Sequence, residues 1–143
     1  MKIEKQFFTG LNDDIRKIRE KVFVEEQGFV DEFDELDEYN ASIHLLLYID
    51  EIPVATGRLY VDSLDPSIYN IGRVAVLKEY RSLHLGNKII SCLEEKTREI
   101  GGTKIQLSAQ CRVQGFYEKN GYTAIGDAYL DQFCPHILME KFI

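Results

Sequence analysis

Two apolar runs, residues 44–49 and 54–61, flank the tetrapeptide Asp50-Glu51-Ile52-Pro53. A dense apolar run this short reads as a buried strand, and an acidic, proline-bearing tetrapeptide between two such runs reads as a turn. The pair forms a hairpin with Gly57 at a bend, so the chain must build on a sheet. Another strand follows over 68–77, after a turn at 62–67 that Asp65-Pro66 favours. Residues 2–8 alternate like a short first strand, and three more strands are expected at 104–109, around 122–125 and around 137–142.

Helical spacing appears in three places. Asn12 can cap a helix in which Ile15, Ile18 and Val22 share one face, fading near Gly28. Residues 85–100 place Ile89, Ile90, Leu93, Thr97 and Ile100 on one face, and Gly101-Gly102 ends the run. Residues 113–120 form a short helix stopped by Gly121. Residues 29–40 read as an acidic loop or broken helix, and residues 78–84 as a polar loop. The order is β-α-β-β-β-α-β-α-β-β, an α+β layer fold rather than a doubly wound one. With 143 residues the chain is long enough for one domain, residues 1–143, and one core.

Charge and motifs narrow the function. A net charge of −7 weighs against nucleic acid as a partner, because phosphate neutralisation needs a basic face. No apolar stretch is long enough for a membrane-spanning helix and the first ten residues lack a signal-peptide core, so no membrane partner and a cytoplasmic location are expected. Cys92, Cys111 and Cys134 stand far apart without metal-ligand spacing, so no metal site is expected. Neither GxGxxG nor GxxxxGK[ST] occurs.

The most informative segment is VAVLKEYRSLHLGNKII, residues 74–90: a buried strand, a loop, then a helix. The first N–H groups of a helix lack partners within it and carry partial positive charge, so this junction suits a diphosphate. Lys78, Arg81, His84 and Lys88 add local cationic character, and Gly86 permits close approach of backbone and ligand. The segment resembles the coenzyme-A loop of the GNAT acetyltransferase superfamily, [Q/R]-x-x-G-x-[G/A]. Arg81 takes the first position, Gly86 the last, and His84 replaces the middle glycine.

A second stretch, residues 104–122, KIQLSAQCRVQGFYEKNGY, resembles the later part of the same signature, F-Y-E-K-x-G-[F/Y]. IREKVFVEEQGFVDEFDELDEYNASIHLLL, the R-V-A-V-x-x-x-Y-R core and P-H-I-x-M resemble the ElaA-like branch. The resemblance covers nearly the whole chain. It implies the GNAT acyl-CoA N-acyltransferase fold, a mostly antiparallel sheet flanked by helices. It also implies N-acetyl transfer from acetyl-CoA to an amine in a ternary complex.

By the same resemblance, Val74, Ala75 and Val76 would hold the pantetheine arm along their strand. Arg81, Ser82, Leu83, His84, Leu85, Gly86 and Asn87 would hold the diphosphate, with Gln110, Tyr117 and Lys119 completing the cofactor site. Tyr117 is the expected general acid for the departing thiolate. Many relatives carry a Glu on the strand before the loop. The nearest residue here is Asn70, beside Gly72 and Arg73, and none of these is a base.

Glu26, His44, Asp131 and His136 are the candidate bases. His136 is preferred because a neutral imidazole titrates in the useful range. Glu26, Gln27 and His44 are expected to line the acceptor side. The acidic run over 25–38 reads either as a rim for a cationic amine or as a solvated face, with Arg73 able to pair with one of its carboxylates. Two other readings remain open: an acyl-homoserine-lactone-synthase-like acyltransferase, and a domain that binds acetyl-CoA without turnover. The state is monomer or homodimer, with an exposed final strand offering an edge for pairing.

Overall fold

The computed structural model describes residues 1–38 and 41–143. Residues 39 and 40, the end of the expected acidic loop, lie outside the described residues. Strand β1 (Ile3–Thr9) leads to helix α1 (Asp13–Arg19), whose start is fixed by the Asn12 side chain accepting the Ile15 N–H at 2.8 Å. The helix runs on in wider π-helical turns over Glu20–Glu26 and ends at Gly28, where φ is +80°. After a 3-10 turn at Glu35–Glu38 come β2 (Ile43–Ile49), β3 (Ile52–Val61) and β4 (Ile68–Val76). The expected polar loop is wound into a 3-10 stretch, Lys78–Leu83, before α2 (Leu85–Glu99). Strand β5 (Lys104–Gln110), α3 (Gln114–Lys119), β6 (Thr123–Asp131) and β7 (Cys134–Phe142) complete the order.

All seven strands join one sheet in the order β1-β2-β3-β4-β5-β7-β6. Every neighbouring pair is antiparallel except β4 and β5. The β2–β3 turn is tighter than expected. Only Asp50 and Glu51 form it, both at positive φ, and Ile52-Pro53 belongs to β3. The final strand is not an edge. It inserts between β5 and β6, so the edges are β1 and β6, and the expected pairing through an exposed last strand has no basis in this topology.

Side chains alternate across β2 and separate two cores. Leu45 and Leu47 face α2, where they meet Leu85, Ile89, Ile90 and Leu93. Leu46 faces the other way, toward Ile15, Ile18, Val22 and Phe23. Gly57 is required by α2: a Cβ there would lie 2.8 Å from Ile89 Cγ2 and 3.0 Å from Leu93 Cδ1. Among the described residues no helix is long and apolar enough to cross a membrane.

Two irregularities open the sheet at its centre. The β3–β4 register passes from Thr56↔Ala75 to Arg58↔Gly72, so Arg73 and Val74 together oppose Gly57. This is a bulge, and Arg73 sits in it at φ +53°. On the other side, β4 and β5 pair only from Ile68↔Lys104 to Ile71↔Leu107. Beyond that point β5 stays with β7 as far as Gln110↔His136, while β4 stays with β3. The strands therefore part as a wedge.

Candidate active site

A cleft of about 860 Å³ fills the wedge and runs through the sheet. Its size suits a small-molecule site. One end is bounded by Val74, Ala75, Val76, Arg81, His84, Gly86 and Asn87. The Leu77 N–H bonds Val54 O across β3 at 2.9 Å, so strand alternation turns the Val76 peptide groups toward the wedge. The Val76 carbonyl there accepts Arg81 Nε at 3.0 Å.

At the start of α2, His84 adopts the left-handed conformation, φ +57° and ψ +30°, and makes no side-chain cap. The loop thus keeps a glycine-like backbone at the position where the resembling pattern has glycine. With no capping side chain, the N–H groups of Leu85, Gly86 and Asn87 have no partner within the helix and are available to an anion. Gly86 also has a packing reason, since a Cβ there would meet Phe116 Cζ at 3.2 Å. These donors, with Arg81 and the open edge of β4, fit a diphosphate-bearing chain laid along β4.

Several residues assigned from the resemblance lie elsewhere. Ser82, Leu83 and Lys119 are exposed beside the cleft rather than lining it, and the Leu85 side chain is buried in the α2 core. Tyr117 does line the cleft, packed edge-on to Phe116 and Tyr122 at 5.0 and 6.0 Å between centroids. Burial pushes its phenol up to about 12, so it keeps its proton at neutral pH.

Glu26 and Gln27 form a clasp over the wedge. The Glu26 carboxylate accepts Arg81 Nη1 at 2.5 Å and Nη2 at 2.7 Å, and the bond from Arg81 holds its carboxyl below the usual range. Gln27 Oε1 accepts Gln110 Nε2 at 2.8 Å, and Gln110 Oε1 accepts Arg112 Nε at 2.9 Å. Consecutive residues at the end of the first helix thus tie the β4 side to the β5 side. Glu26 thus pairs with Arg81, at the end of the cleft bounded by Val76 and the start of α2.

His44 does not line the cleft. It is 1% exposed on β2, with Nε2 3.3 Å from Asp37 O, and burial lowers its pKa. Its neighbours form an ion network of which the sequence indicated only the pairing of Arg73 with a carboxylate of the acidic run. Arg19 holds Glu32 at 2.8 Å and Asp37 at 2.6 Å, Arg58 holds Asp34 at 2.8 Å and Asp37 at 3.0 Å, and Arg73 holds Glu32 at 3.0 Å.

Part of the acidic run is therefore not a solvated face: Glu32, Asp34 and Asp37 neutralise three arginines, while Glu25, Asp31, Glu35 and Glu38 stay exposed. Burial raises the Asp37 carboxyl, but bonds from Arg19 and the Asp34 N–H outweigh it and bring the value to about 2. For Glu32 burial prevails over Arg73 and Arg19, and its carboxyl lies above the usual range.

His136 is 7% exposed and lines the cleft. Its ring lies between the edge of Phe29, at 6.4 Å, and the face of Tyr129, at 6.2 Å. Nδ1 is 2.9 Å from Cys134 O. A carbonyl only accepts, so Nδ1 carries the proton and Nε2 holds the free lone pair. Ser108 Oγ and Tyr129 OH form a short hydrogen bond beside it. Sequence spacing carried no signal for Phe29, Ser108 or Tyr129, because pairing of β5, β6 and β7 brings them together.

The sequence profile of the Acetyltransferase (GNAT) family matches residues 12–122. YyaT of Bacillus subtilis is 39% identical over 130 residues, which cover 89% of this chain and 86% of that protein. YjcF of the same organism, named an N-acetyltransferase, is 35% identical over 127 residues, covering 87% of each chain. The crystal structure of Escherichia coli ElaA superimposes with a TM-score of 0.87 at 26% identity, over 98% of this chain and 99% of that one. BjaI, a CoA-dependent acyl-homoserine lactone synthase, shares the fold at a TM-score of 0.82 and 17% identity, over 99% of this chain and 84% of its own. The split sheet, the uncapped start of α2 and these likenesses agree: the chain belongs to the GNAT family of acetyltransferases.

Proposed function

We propose that the protein transfers the acetyl group of acetyl-CoA to a primary amine, with both substrates held in the wedge. The observation that carries this reading is the cleft itself, which joins a diphosphate-suited helix start to a buried histidine with a free ring nitrogen. Val74 and Val76 would bond the pantetheine arm as an added strand, and the N–H groups from Leu85 to Asn87 with Arg81 would hold the diphosphate. Gln110 would face the arm from β5.

His136 is the proposed base. Its Nε2 takes a proton from the attacking ammonium while Cys134 O holds the ring in the required tautomer. The neutral amine then attacks the thioester carbonyl, the carbon–sulfur bond breaks, and the second proton shed by the nitrogen goes to the departing thiolate, which leaves as the thiol. Tyr117 donates a hydrogen bond to the departing sulfur. Its phenol at about 12 lies well above an ordinary thiol at about 8.5, so full proton transfer is uphill and the role is anchoring of the thiolate. Holding both partners in one cleft supplies much of the rate.

Calorimetry with acetyl-CoA and a thiol-release assay with primary amines test the reading. Cofactor uptake and amine-dependent thiol release are expected. Uptake without release on a broad amine panel would favour a sensor. Faster turnover with acyl carrier protein than with coenzyme A thioesters would favour the lactone-synthase reading. Replacing His136 with Gln should lower kcat by about a hundredfold or more and remove the acidic limb of its pH profile.

A further inference from the structure

The acceptor end carries two carboxylates that the ion network does not use. Asp31 and Asp131 both line the cleft, and among the described residues neither takes part in an ion pair or a hydrogen bond through its carboxylate. Of the arginines that line the cleft, Arg58 and Arg73 are matched to Glu32, Asp34 and Asp37, Arg81 is matched to Glu26, and Arg112 donates to Gln110 Oε1.

A clamp brings the two free acids to one rim. Gln132 donates to Val30 O at 2.6 Å and accepts the Val30 N–H at 3.0 Å, so the residues beside Asp31 and Asp131 are bound to each other. The rim between them is apolar. Phe29 stacks on Phe133 at 5.0 Å, and Val30 and Phe133 are 63% and 59% exposed. Beneath lies the His136 ring, more than nine-tenths buried, whose Nε2 has no partner among the described residues.

We propose that the acceptor is a primary amine whose apolar spacer carries a second, permanently protonated nitrogen. This rests on the acetyl-transfer reading. One nitrogen gives up its proton to His136 and reacts. The other stays an ammonium between Asp31 and Asp131 while the spacer lies on Phe29 and Phe133. The length follows from the strand. Tyr129, which faces His136, and Asp131 are two residues apart on one face of β6, or about 7 Å. That separation matches a short alkyl chain. A polar amino sugar would leave the aromatic rim uncompensated, and an amino acid would set its carboxylate against two like charges.

Cadaverine and pentylamine, equal in carbon count and differing by one nitrogen, are the probes. With acetyl-CoA saturating, cadaverine should show a kcat/KM at least tenfold above pentylamine, carried by KM. In Asp131→Asn and Asp31→Asn, whose folding is checked by thermal melts, the ratio should fall toward one. Calorimetry on the protein with coenzyme A bound gives a second reading, with tighter uptake of cadaverine expected. Equal constants for the two amines in both assays, or a preference that persists in both variants, overturns the proposal. Failure of acetyl-CoA to bind would instead overturn the acetyl-transfer reading, and the same calorimetric comparison of the two amines on the free protein would still decide this one.

Discussion

His84 shows what one side chain costs. A non-glycine residue in the left-handed region is disfavoured by about 1–2 kcal/mol, and His84 stands there at φ +57° with no capping bond in return. Replacing it with Gly should raise stability by about 1 kcal/mol in urea unfolding. A loss of coenzyme A affinity in the same variant would assign the imidazole a phosphate contact. Asp37 is the opposite case. It is 1% exposed and bonds two arginines, so Asp37→Asn leaves Arg19 and Arg58 short of an anion. A loss of about 3–5 kcal/mol is expected in the same measurement.

The junction of β3 with α2, and the clasp at the end of the first helix, act as elements. Gly57 lets α2 approach the sheet, and Gly57→Ala would press a methyl into Ile89 and Leu93. The expected cost is about 1–3 kcal/mol, read as a lowered urea midpoint. The Arg81–Glu26 pair bridges the helix end to the loop before α2, and on the proposed function a diphosphate would compete with Glu26 for Arg81. An exposed pair is worth about 1 kcal/mol or less, so Glu26→Gln should tighten coenzyme A binding about two- to fivefold. Weaker binding in calorimetry would mean that Glu26 orients Arg81 for its ligand.

At the scale of the molecule, the ion network ties the acidic loop to β3, β4 and α1 and gives the fold an acid limit. The Asp37 carboxyl falls from 3.8 to about 2 on folding. A lowered carboxyl stabilises above its unfolded value, so its contribution of about 2 kcal/mol is present above pH 4 and lost as pH falls toward 2. Glu32, shifted upward by burial, acts with the opposite sign and favours the fold at pH below its own titration. Urea midpoints measured from pH 5 down to pH 2 should therefore fall steeply, and Asp37→Asn should flatten the curve. A wild-type curve already flat in that range would remove Asp37 from the account.

The local signals in the chain reached far. Apolar spacing located the strands and the buried faces of α1 and α2, because burial alternates every second residue in a strand and every third or fourth in a helix, but it missed residues 126–131 of the largely exposed β6. The strand-loop-helix junction and the short helix around Tyr117 were also legible, because each is contiguous in sequence. What tertiary structure alone decided lies across long separations. The last strand enters the sheet beside β5, and Arg73 bulges against Gly57. His44 turns into the ion network rather than the cleft, and Val30 meets Gln132 across 102 residues. Periodicity tells each residue which face it occupies but not which distant strand will lie beside it. Pairing and packing settle that, and with it the position of every group around His136.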